Sequence, residues 1–209
     1  MSSREDWDTD AESEADGAAR NPYAAWEWGT QLRASGDIAG AAKTHKLAAE
    51  AFEDIGDKTR SVISQYDEGI DLAALGKNKE ANEVISNAIK SMKQIEGGDV
   101  ELLQRVVAKE GEARIALASA LWDSGSKQEA ESSLGTACVR LDVLEADAEK
   151  RAASKKAVTV PDHLQFSIDD QAGAGLSCSR FKNEKFLTET LEWPEALQKK
   201  VNKLNSLGK

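Results

Sequence analysis

Gly69-Ile-Asp-Leu-Ala-Ala-Leu-Gly76-Lys-Asn-Lys-Glu-Ala81-Asn-Glu-Val-Ile-Ser-Asn-Ala88 is the stretch whose reading decides the fold. Small residues stand at Gly69, Gly76, Ala81 and Ala88, in steps of seven, five and seven. The same steps recur upstream at Gly29, Gly36, Ala41 and Ala48, and downstream at Ala118, Gly125, Ala130 and Ala137. Seven residues is about two helical turns, so the two alanines of each unit face one way on a helix. The glycine before them falls where the preceding helix ends. Its polar surroundings, Ser35-Gly36-Asp37, Gly76-Lys77-Asn78 and Ser124-Gly125-Ser126, suit the left-handed cap that closes a helix. Each unit is therefore expected to be an antiparallel helix hairpin. The small residues would let its two axes approach toward the lower end of the roughly 8–10 Å range.

Apolar spacing extends the pattern outward. Val62, Tyr66, Ile70 and Ala73 follow one another at four, four and three residues, and Ala81, Ile85, Ala88 and Met92 repeat the stripe on the next helix. Expected helices cover 24–34, 38–55, 59–75, 79–95, 99–124 and 127–153, the fifth capped by Asp99 after Gly97-Gly98. With three prolines, 5% aromatic residues and almost no alternating β-branched run, the 209-residue chain reads as all-α. At 154–166 the texture changes, and Val160-Pro161 biases the backbone away from helix. Trp193-Pro194 then opens a short last helix with Leu197, Val201 and Leu204 on one face.

The four-offset pattern over about residues 22–150 resembles the tetratricopeptide repeat, a family that favours small residues at those positions. The units start 40 and then 49 residues apart, against the family's 34, and the proline that often closes a repeat is missing. Longer helices or links and a less regular superhelix follow. The resemblance implies a right-handed superhelical array of antiparallel helix hairpins, a TPR-like solenoid, with a C-terminal capping segment over its apolar end. Its parts would be an acidic flexible arm at 1–21, three hairpins at 22–153, and a linker with capping helices at 154–209. The tryptophan-proline tail is similar to that of some plastid and cyanobacterial members, over few residues.

The resemblance also implies a groove lined by the first helix of each hairpin. The groove positions fall on Tyr23, Trp26, Thr30 and Arg33; on Ile63, Tyr66, Ile70 and Ala73; and on Glu112, Ile115, Ser119 and Trp122. Tyr23, Trp26, Thr30, Arg33, Tyr66, Ser119 and Trp122, with Trp7 of the arm, are the expected protein-binding residues, since exposed aromatics are enriched at interface hot spots. The rival reading puts Ile63, Ile70 and Ile115 in the core. Members that grip acidic chaperone tails carry lysine, asparagine and arginine in the groove. Trp26, Thr30, Asp67, Glu112 and Ala116 stand at those places here, so that partner is not expected.

Outside the repeats, Glu5, Asp6, Asp8, Asp10, Glu12, Glu14 and Asp16 surround Trp7. That composition reads as a flexible solvated arm, or as an acidic arm that orders on a basic partner. A net charge of −10 argues against nucleic acid, which needs clustered cations. The basic patches Lys155-Lys156 and Lys199-Lys200-Lys203 read as solvated surface. No apolar run nears 18 residues, so membrane insertion is not expected. The acidic start is unlike a cleavable signal, which says nothing of compartment if a presequence has been removed.

Cys138 beside Ala137 reads as a small buried thiol, the alternative being a disulfide to Cys178 that staples the terminal segment to the third hairpin. His45 and His163 belong to no metal-ligand spacing, and Gly173-Ala174-Gly175 lacks the lysine of a phosphate loop. No catalytic, metal or cofactor-binding residue is assigned, and no enzyme is expected. The expected role is a noncatalytic interaction scaffold or structural subunit, held in a multisubunit assembly through the groove and both tails. The alternatives are an assembly factor or co-chaperone that engages clients transiently, and an accessory domain of an enzyme. The tail's similarity and the acidic chain point toward a plastid, in particular the thylakoid lumen or a photosynthetic complex.

Overall fold

The first three helices start where a short acceptor side chain takes up free backbone N–H groups. Asn21 accepts from the amides of Tyr23 and Ala24, Asp37 from Gly40 and Asp57 from Arg60. The computed structural model describes residues 21–92, 100–155 and 178–205. In chain order its helices are α1 (Pro22–Ser35), α2 (Ile38–Asp54), α3 (Lys58–Ala74), α4 (Asn78–Met92), α5 (Val100–Asp123), α6 (Lys127–Lys155) and α7 (Glu195–Asn205). A 3-10 turn at Cys178–Lys182 and a wide π turn at Phe186–Thr190 precede α7. No strand occurs among the described residues.

The expected glycine caps are present. Gly36, Gly76 and Gly125 all have φ between 77° and 93°, and Gly56 does the same after α2. At Gly76 and Gly125 the next amide reaches back five residues, Lys77 to Leu72 and Ser126 to Leu121, which takes up carbonyls the helix end leaves free. A side chain there would strain the backbone.

Two compact units divide between Ile95 and Glu96. In the first, α1, α2, α3 and α4 pack each on the next, so α3 lies against both α2 and α4. A Cβ on Gly69 would stand 2.5 Å from Ile85 Cγ1, and one on Gly29 would stand 2.6 Å from the His45 ring. That is the close approach the small residues were expected to serve. Ala25, Ala48 and Phe52 form one buried cluster, with Trp26 packed against it. The increments of the repeat are taken up largely on one side of the small residue. Seven residues of α1 precede Gly29 (22–28), eleven of α3 precede Gly69 (58–68), and eighteen of α5 precede Ala118 (100–117).

In the second unit α5 pairs with α6, and α7 lies along α5. A Cβ on Gly111 would meet Leu141 at 2.5 Å, another close helix approach. Leu197, Val201 and Leu204 of α7 are buried, as their spacing predicts, together with Phe181, Leu187 and Trp193. Phe181 meets Phe186 edge-on at 5.5 Å and Trp193 at 5.6 Å. Cys138 and Cys178 form a disulfide between α6 and the 3-10 turn. The buried-thiol expectation is thereby corrected. Packing Phe181 and its neighbours returns the chain to α6, and sequence alone held no distance between the two sulfurs.

Candidate protein-binding surface

The residues expected on the groove divide into those that reach solvent and those used inside the chain. Tyr23, at 48% exposure, is the most open of them. Its ring meets Phe52 edge-on at 5.0 Å, and the Arg60 guanidinium sits 5.3 Å from its centre. Arg60 is anchored by Asp57, whose hydrogen bond holds its pKa above the usual arginine value. Trp26 and Thr30 are half-buried one turn apart, the Thr30 hydroxyl donating to the Trp26 carbonyl. In the second unit Trp122 is half-buried beneath the Lys127 ammonium, 5.0 Å from the ring centre. Trp7 lies outside the described residues.

Three members of the expected set are not on open surface, which corrects their placement. Tyr66 is buried, its hydroxyl 4.0 Å from Met92 Sδ. Ser119 is buried and donates to the Ile115 carbonyl one turn back. Arg33 is buried and engaged by two aspartates of α3. Ile63, Ile70 and Ile115 are buried too, as the core reading held.

Around Arg33 the sequence reading missed a polar network. Arg33 Nε donates to Asp71 Oδ1 at 2.5 Å, Nη1 to Asp67 Oδ1 at 3.2 Å and Nη2 to the Asp67 carbonyl at 3.0 Å. Trp26 Nε1 donates to the other Asp67 oxygen at 3.0 Å, and His45 Nδ1 lies 2.7 Å from Asp71 Oδ2. Arg33, His45, Asp67 and Asp71 are all buried. Burial works against the guanidinium charge, but Asp67 and Asp71 outweigh it and hold the Arg33 pKa above the ordinary value. The far nitrogen of His45, Nε2, is buried without a hydrogen-bond partner beside the bare Cα of Gly29. One signal for this network was available: His45 stands where the other two units carry Ile85 and Leu134, sixteen residues after the small residue.

Two further carboxylates are perturbed or enclosed. Glu68 on α3 is pushed up to about 7, first by burial and then by the nearby charges of Glu50, Asp71 and Glu80, with Lys46 opposing. Buried Glu110 on α5 has Arg114 Nε at 2.8 Å and Arg140 Nη2 at 2.6 Å. Among the described residues no group of three or more His, Cys, Asp or Glu could hold a metal ion. No described helix is long and apolar enough to cross a membrane. Comparison with protein-family models, with curated proteins and with solved structures finds no match.

Proposed function

We propose that the chain is a noncatalytic protein-interaction scaffold or structural subunit of a larger complex, built as a tetratricopeptide-like solenoid. The observation that supports this reading is the placement of Tyr23, Trp26 and Trp122. They are large aromatic side chains on the first helices of their hairpins, and solvent still reaches them. Trp122 lies beside Lys127, while Tyr23 and Trp26 lie beside neighbours that are themselves held, Arg60 by Asp57 and Asp67 by Arg33, so these two would enter an interface with little ordering left to do. Thr30 adds a hydroxyl beside Trp26, and Trp7 would bring a further aromatic from the acidic arm. A plastid compartment and a photosynthetic assembly belong to the same proposal, on the tail's similarity alone.

The test is affinity purification of the full chain from its source, beside Tyr23→Ala and Trp122→Ala variants. A stoichiometric companion that either variant weakens by about tenfold or more supports the reading. Association seen only in a pulse after synthesis favours an assembly factor instead. A companion retained equally by wild type and both variants would overturn the assignment of the surface.

A further inference from the structure

We infer that the Arg33–Asp67–Asp71–His45 network is an addressing device, which makes the face of α3 the only one on which the first hairpin can dock. Three hairpins with the same small-residue pattern sit in one chain, so the wrong pair could meet, within one molecule or between two. Repeat proteins misassemble in this way. A small-residue pattern allows close approach but does not distinguish one hairpin from another.

The five residues of the network can be compared with their repeat equivalents. Forty residues after Trp26, Arg33 and His45 stand Tyr66, Ala73 and Ile85. Forty-nine residues after Asp67 and Asp71 stand Ala116 and Ala120. All five equivalents are buried, and none is charged. Gly29 receives the His45 ring as Gly69 receives Ile85, so the backbone geometry accepts either side chain. At the sequence offsets of the following repeats the chain thus carries uncharged residues in place of the network. Ions replaced by well-packed apolar groups often cost a fold no stability, and selection among partners is the best-attested gain from keeping them.

The device excludes in both directions. Arg33 and His45 docked against alanines would bury a cation with no counter-charge. Asp67 and Asp71 would refuse the Ala73 and Ile85 face of a second copy, which would otherwise start head-to-tail stacking that does not close.

The experiment compares the full-length wild type with a chain carrying Trp26→Tyr, Arg33→Ala, His45→Ile, Asp67→Ala and Asp71→Ala, the residues found at the equivalent positions. Sedimentation velocity and amide NMR count the species present. The expected result is a folded variant that self-associates about tenfold or more tightly than wild type and shows several amide peaks per residue. A variant with wild-type association and one peak per residue overturns the inference. If the five-fold variant fails to fold, Arg33→Met/Asp71→Asn, which removes charge while keeping approximate shape, decides. Folded but associating or multiply populated chains support the device, and a single species with wild-type association, or again no folded protein, overturns it.

Discussion

The two units solve one problem with different chemistry. In each, an element must be held across the open face of a helix hairpin. In the first unit α1 and α2 are fixed to α3 by buried polar contacts, Arg33 of α1 to Asp67 and Asp71 and His45 of α2 to Asp71. In the second the terminal segment is fixed by apolar burial of Phe181, Leu187, Trp193 and three residues of α7, and by a covalent bond from Cys178 to α6. A cross-segment ion pair in solvent, Lys203 with Asp123 at 2.6 Å, is a minor addition. The difference teaches where each unit is fragile. An ionic lock fails when one member is lost, because the groups it faced stay buried with a counter-charge or hydrogen bond missing. An apolar cap fails gradually.

Four measurements can break or sharpen this contrast. The largest effect is expected from Asp71→Ala, which leaves Arg33 and His45 facing an empty place and should cost about 3–5 kcal/mol. Urea unfolding would measure it, and amide exchange should rise in α1 and α3 first. Cleaving the disulfide, by reductant or by Cys138→Ser, should cost about 2–4 kcal/mol, with faster exchange at 178–205. Exchange that instead rose in α1 and α3 would erase the distinction between the units.

A third test concerns packing alone. Gly69→Val places carbon where Ile85 already sits and should lower stability by about 1–3 kcal/mol. A crystal structure of the variant should show α4 displaced from α3. The smallest effect depends on pH. Glu68 binds its proton more tightly folded, at about 7, than at its ordinary 4.5, so stability falls as pH rises through that window. Partial exposure screens the penalty, leaving about 1 kcal/mol above pH 7. Glu68→Gln should therefore match wild type near pH 4 and exceed it by about that amount at pH 8, in urea midpoints taken at both.

How much of this was legible depends on the range of the signal. The helices and their ends were readable because caps and periodicity are local: Asp37, Asp57 and the glycines act within one turn of themselves. The division between Ile95 and Glu96 was not readable in this way, because the adjacent Gly97-Gly98 marks an ordinary helix break and the repeat pattern runs across it. The ionic network was hidden for the opposite reason. Trp26 and Arg33 sit at positions where a repeat reading looks for ligand contacts, and nothing local marks Asp67 and Asp71 as the groups that the fold brings within 3.2 Å of the guanidinium. His45 stands where the other two units carry the apolar Ile85 and Leu134, and that departure was a usable clue. The disulfide could be named as an alternative but not chosen, since the pairing depends on how the chain returns after α6.

That pairing has a consequence for the covalent connectivity of the molecule. A bond from Cys138 to Cys178 closes a ring of backbone, with the amino-terminal chain and the last helix as two tails. A protease that cuts once anywhere between the two cysteines opens the ring without releasing a fragment. The nicked protein keeps its full mass on a non-reducing gel and separates into two pieces only when the sulfurs are reduced.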